Sequence, residues 1–226
     1  MNQKLIMIPT KDAESWKALL AEPEKHWKAG CSAMSVAISW EQAHGIPSSI
    51  VKALNSVESL SGLELLLAIP EYKVALPGGP RPSQNDILVV GRNDDGLTII
   101  AVEAKAKEGF DQTISEWKKD GSEGKKERLD FILEKISFPP KNTDTLRYQL
   151  FHRLASAVIM AEKYHANNAV MLIQSFDDSE ITNHYADYSA FVESYDVKAE
   201  KGMPILLCKK RGIDIYGVWV NDIIHK

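Results

Sequence analysis

Two Ile/Val-rich runs separated by a four-residue turn signal limit this chain more than any other feature. Residues 86–92 read Asp-Ile-Leu-Val-Val-Gly-Arg, and residues 97–105 read Leu-Thr-Ile-Ile-Ala-Val-Glu-Ala-Lys. β-Branched apolar side chains fit a pleated, packed surface, so both runs read as strands. Between them lies Asn93-Asp94-Asp95-Gly96, residues suited to the positive φ of a tight hairpin turn. The middle of the chain is therefore an antiparallel hairpin that needs layers above and below it.

The rest of the sequence supplies those layers. Ala33, Val36, Ala37 and Trp40 are spaced for one helix face, ended by His44-Gly45-Ile46-Pro47. Ile50, Leu54 and Val57 mark a second short helix, residues 63–67 a third, and Pro70 closes the region. Residues 72–76 read as a strand. Residues 77–82 hold three prolines and two glycines and break regular structure. In the polar stretch 107–141, Phe131, Ile132 and Leu133 mark a short helix stopped by Pro139-Pro140, and Trp117 serves as an anchor or a base-stacking ring. Leu146, Leu150, Leu154 and Val158 recur every four residues in a helix expected from Thr143 or Asp144 to about His165. Residues 169–174 form a buried strand able to return parallel through a right-handed crossover. Residues 188–195 are expected helical, and 204–208 with 213–220 make a final hairpin.

The expectation is an α/β fold: a mixed central β-sheet flanked by helices, in one domain over residues 1–226. Residues 1–70 form a helical N-terminal part, and residues 71–226 the sheet core with helices. At 226 residues, 44% hydrophobic and 26% charged, the chain can bury a full core. Twenty-seven basic against 31 acidic residues, a net charge of −4, argue against a sequence-blind cationic nucleic-acid coat but leave room for a local groove. Cys31 and Cys208 read as two buried thiols. The charge-free stretch 29–40 is too short for a membrane span, and residues 1–10 lack a signal-peptide core, so a cytoplasmic, non-membrane protein is expected.

The chemistry concentrates at one end of the hairpin. Side chains alternate along a strand, so Glu103 and Lys105 share a face. On its own this reads first as a surface ion pair where the strand meets solvent. Hairpin pairing brings Asp86 beside them. Two carboxylates and an ammonium at one mouth suit a divalent cation, which can polarise a phosphate and activate water.

Pro82-x-x-x-Asp86, sixteen residues, then Glu103-Ala104-Lys105 resembles the PD-(D/E)XK nuclease signature, and the order of elements resembles that superfamily's restriction-endonuclease-like core. Within it, Leu76-Pro77-Gly78-Gly79, Val102-Glu103-Ala104-Lys105, Leu146-Arg147-Tyr148-Gln149-Leu150-Phe151-His152-Arg153 and Val170-Met171-Leu172-Ile173-Gln174-Ser175-Phe176 resemble a small bacterial nuclease-like family. The resemblance implies a metal-dependent nuclease that hydrolyses phosphodiester bonds in DNA, with nucleic acid as partner, Mg2+ or Mn2+ as cofactor and homodimerisation as an option. It implies that Asp86, Glu103 and the Ala104 carbonyl hold the metal, that Lys105 orients water, and that Gln149 supports the site. Some members carry a tyrosine four residues after that glutamine. Arg153 stands there instead, and with Arg81 on the rim is expected to contact substrate phosphate. An acid on the first core helix is also implied, with Glu41, Glu58 and Glu64 as candidates.

Gln149, Arg153 and Ser156 can line one stripe of their helix, either a solvated flank or a wall of the site. His26, His44, His165, His184 and His225 share no metal-ligand spacing. Asp177, Asp178, Glu180, Asp187, Glu193 and Asp196 make one acidic stretch, and Lys201, Lys209, Lys210 and Arg211 a basic one whose turn is solubilising or backbone-binding. The alternative to an enzyme is a catalytically inactive nuclease-fold module binding nucleic acid or a protein partner.

Overall fold

The computed structural model describes residues 10–177 and 184–222, which leaves Asp178, Glu180 and His225 outside the described residues. A 3₁₀ turn at Ala13–Leu19 and the short helix α1 (Pro23–His26) lead into α2 (Ser32–Ala43) and α3 (Ser48–Leu54). Three strands follow: β1 (Glu64–Val74), β2 (Ser83–Asn93) and β3 (Gly96–Lys105). Helices α4 (Ile114–Trp117), α5 (Glu123–Lys135) and α6 (Tyr148–Tyr164) cross over to β4 (Asn168–Ser175). Helix α7 (His184–Glu193) and the hairpin of β5 (Ile205–Lys210) and β6 (Ile213–Asn221) complete the fold. The strand order is β1-β2-β3-β4-β6-β5, with β4 parallel to both β3 and β6 and the other pairs antiparallel. The protein is thus α/β, with a six-stranded mixed sheet flanked by helices.

Each sheet face has its own core. Leu88, Val90, Ile99, Ala101 and Ile173 pack under Leu150, Phe151, Leu154 and Val158 of α6. Ile87, Val89, Ile100, Val102 and Leu172 pack against Trp40 of α2 and Ile50 and Leu54 of α3. Fully burying a side chain of this size contributes about 1.5–3 kcal/mol. Two-sided burial is why β3 lacks an alternating pattern.

Three expectations need correction. Residues 63–70 are not helical: β1 begins at Glu64 and runs through Pro70. It is an edge strand, where a proline without an N–H is tolerated. Helix α6 starts at Tyr148, not at Thr143 or Asp144, because Arg147 makes a β-bridge to Thr113 and Asp144 pairs with Lys118. Its C-terminus falls as expected, with His165 in the left-handed region. The Cys31 and Cys208 thiols are free but half-buried.

Residues 77–82 form a pinned connector. Arg128 donates from Nε to Pro77 O at 2.7 Å and from Nη2 to Gly79 O at 2.9 Å. Gly78 has φ +74, and any Cβ there would collide with the Gly124 carbonyl. Trp117 stacks on Tyr148 at 3.9 Å and 11°, tying the polar insertion to α6. The basic turn is partly neutralised, since Lys209 pairs with Asp214 and Lys210 with Glu134. Among the described residues, no helix is long and apolar enough to cross a membrane.

Candidate active site

The β2–β3 ladder runs from Asn93 opposite Gly96 down to Ile87 opposite Val102. Beyond it a side chain takes over: Asp86 Oδ2 accepts the Ala104 N–H at 2.6 Å. That bond fixes Asp86 at the hairpin mouth, beside Glu103. Glu103 and Lys105 lie on the sheet face covered by α6 and are only 3% and 4% exposed, so they are not a surface pair.

Four protein donors converge on the Glu103 carboxylate. Its Oε1 accepts from Lys105 Nζ at 2.7 Å and from Gln149 Nε2 at 2.7 Å. Its Oε2 accepts from Arg153 Nε at 2.8 Å and from Arg153 Nη2. Gln149 and Arg153 stand one turn apart on α6, which lets one helix face deliver both. Arg153 Nη1 also donates to the Gln84 carbonyl. Arg153 is 2% exposed. This corrects the expectation of an arginine on the rim: the guanidinium is an internal clamp, not a surface phosphate contact. Arg81 is exposed on the connector.

The third carboxylate in the cluster is not among the expected ones. Glu71 sits on β1, between the register pairs Pro70–Ile87 and Tyr72–Asn85, and so faces Asp86 across the ladder. Its φ of +54 is unusual for a non-glycine residue in a strand, and Gln84 Nε2 donates to its carboxylate. A strand boundary placed at residue 64 would have exposed this register. Of the helix candidates, Glu41 accepts from Thr10 Oγ1 and Trp16 Nε1, both at 2.8 Å. Glu58 lies in a 3₁₀ turn, and Glu64 pairs with Arg92 at the turn end of the hairpin.

Charge divides unevenly. Burial would raise the Glu103 carboxyl, but the Arg153 and Lys105 charges outweigh it and hold it at about 2. Burial, then Glu103 and Glu71, push Asp86 well above the usual carboxylate range, against partial relief from Arg153. Burial likewise raises Glu71. Three carboxylates thus share two cations, and the uncompensated charge rests on Asp86 and Glu71. These two, with Gln84, line a cavity of about 310 Å³ whose far wall includes Glu22, His26 and Cys31.

A second layer holds the helix to the hairpin. Ser83 Oγ lies 2.8 Å from His152 Nδ1, and Ser156 Oγ donates to Ser83 Oγ at 2.8 Å. Burial and the Arg153 charge depress His152 to about 3, so the ring is neutral. The stripe of Gln149, Arg153 and Ser156 therefore does face the hairpin. Lys105 Nζ also lies 5.0 Å from the centroid of the Phe110 ring, a cation–π contact.

The model of a family described as a domain of unknown function, DUF6946, matches residues 9–223, and the chain belongs to that family. No curated protein and no solved structure matches the chain.

Proposed function

For a member of this family we propose a nuclease-like activity, the hydrolysis of phosphodiester bonds in DNA on a restriction-endonuclease-like core of the PD-(D/E)XK type. One observation carries the reading: Asp86, Glu103 and Lys105 meet at one hairpin mouth, and Gln149 of the following helix bonds Glu103 there. Surface pairs do not require this convergence, and strongly perturbed carboxyls in a cavity are typical of functional sites.

The resemblance implies a divalent metal on Asp86, Glu103 and Ala104. Those residues do not fit it as a set in this arrangement. A carboxylate offers about four lone-pair positions. On Glu103 four donors fill them. Asp86, by contrast, accepts one hydrogen bond, from the Ala104 N–H.

The chain's own residues support the following division of roles. Asp86 accepts one protein hydrogen bond, faces the cavity and has a carboxyl raised by burial and by Glu103 and Glu71; in its ionised form it takes the proton of the attacking water as the P–O ester bond breaks, and returns it to the departing alkoxide. Lys105, held in place by Glu103 and Phe110, supplies the positive charge that offsets the charge developing on the phosphoryl group. Glu103 anchors Lys105, Gln149 and Arg153. The inactive nuclease-fold module is the second reading, favoured by the saturation of Glu103.

Cleavage of plasmid and single-stranded DNA, with Mg2+, with Mn2+ and with chelator, tests the proposal. Wild type should cut and Asp86→Asn should not, with both folded. A wild type that binds DNA and cuts under none of these conditions selects the second reading.

A further inference from the structure

Arg153 occupies Oε2 of Glu103 with two of its nitrogens, and we propose that it is a positioning residue that keeps divalent metal off Glu103 and so sets the metal affinity of the site. The inference rests on the reading of this cluster as the active site.

The geometry is that of a lock. The planar guanidinium meets Oε2 through both Nε and Nη2, and its third nitrogen, Nη1, is tied to the Gln84 carbonyl. A fork of this kind holds a carboxylate in one orientation, which the ammonium of a lysine cannot do. Lys105 and Gln149 close Oε1. A metal ion reaching Glu103 must displace at least one of these donors inside a buried cluster.

Asp86 is held differently. One backbone N–H meets it, and its carboxylate opens onto the cavity that Glu71 also lines. Gln84 ties the two sides together, since its amide holds Glu71 and its carbonyl holds Arg153. Divalent metal should therefore meet Asp86 first and leave Glu103 with its protein donors. Opening the lock should hand Glu103 to the metal.

The test is an Mn2+ titration by calorimetry on the whole chain, on wild type, Glu103→Gln, Arg153→Lys and the double variant, with circular dichroism to check folding. Arg153→Lys should bind Mn2+ about tenfold more tightly, the scale on which outer partners tune metal sites. Glu103→Gln should leave the wild-type affinity within about twofold, and the double variant should lose the gain, well short of that tenfold scale. A structural role alone would weaken binding or unfold the chain, never tighten binding. If Arg153→Lys does not fold, Gln149→Leu, which frees Oε1, carries the same expectation. An affinity that falls about tenfold in Glu103→Gln overturns the inference, because Glu103 would then already be a ligand. So does an unchanged affinity in Arg153→Lys, or no binding by any of the four. The readout does not depend on cleavage: tighter Mn2+ binding with no DNA cut supports the lock and counts only against the proposed activity.

Discussion

Two polar clusters lie at the same end of the sheet on opposite faces, and they are built differently. Ala104 of β3 is the register partner of Gln174 of β4. On the α2 face, Gln174 accepts from Trp40 Nε1 at 3.0 Å and donates to Asp222 at 2.6 Å. Asp222 also accepts from Ser39 at 2.6 Å and from Ser49 at 2.9 Å. One carboxylate there meets three neutral donors, and the cluster fastens α2 and α3 to the end of β6. On the α6 face, three carboxylates meet two cations, one acid is saturated, and two are left with raised carboxyls. A polar group that only joins elements can be satisfied to completion. The unequal satisfaction of Asp86 and Glu103 is what sets the second cluster apart as the candidate site.

The largest expected effect comes from breaking the saturated half of that site. Arg153→Met leaves the Glu103 charge buried with only Lys105 and Gln149. Removing one partner of a buried pair costs about 3–5 kcal/mol. Urea unfolding at neutral pH should show a loss of that size, and Arg153→Met with Glu103→Gln should recover part of it. A single-variant loss below about 1 kcal/mol, the scale of an exposed pair, would make Glu103 no better anchored than Glu64 with Arg92.

Acid should separate the two carboxylates next. Glu103 has a folded pKa of about 2, below its ordinary 4.5. A depressed folded pKa adds stability above the unfolded value, and that stability is lost as pH falls from about 4.5 through about 2. The shift corresponds to about 3 kcal/mol. Asp86 has the opposite sign. Its folded pKa is raised, so its ionised form destabilises at neutral pH, and protonation removes that cost as pH falls toward its ordinary 3.8. Asp86→Asn should thus be more stable than wild type at neutral pH, with the gap closing toward pH 3.8 and the steep loss below 4.5 kept in both. Urea unfolding from pH 7 to 2.5 measures this. A gap that widens on acidification would mean that the Asp86 carboxyl is lowered by its neighbours rather than raised.

How far the sequence led depended on the range of the signal. The β2–β3 hairpin was legible because turn chemistry and β-branched runs are local, and with it came the meeting of Asp86, Glu103 and Lys105. Gln149 is legible through the resemblance, which places a supporting glutamine there, whereas helical spacing alone leaves its stripe either a solvated flank or a wall of the site. Helical spacing puts Arg153 on its stripe but not at its depth: spacing says which face a residue takes, whereas depth depends on how closely α6 lies on β3. Glu71 was missed because Leu63 to Leu67 fit a helix as well as a strand, and Pro70 reads as a stop unless the strand is known to be an edge. The start of α6 was misplaced because Thr143 and Asp144 are good caps by type, while the Arg147–Thr113 bridge that holds the chain extended there is set by tertiary pairing.

The smallest effect tests the structural side of the comparison. Ser49→Ala removes one of the three donors on Asp222, at the start of α3. A net hydrogen bond of this kind contributes about 0.5–1.5 kcal/mol. Ser39 and Gln174 still hold the carboxylate, so the loss should sit at the low end and show as a small drop in urea midpoint with an unchanged slope. DNA cleavage and Mn2+ affinity should stay at wild-type values, because α3 packs on the face of the sheet opposite Glu103 and Lys105. A change in Mn2+ affinity with full folding would show that the two faces communicate through the Ala104–Gln174 pairing, and that the neutral cluster positions β3 for the charged one.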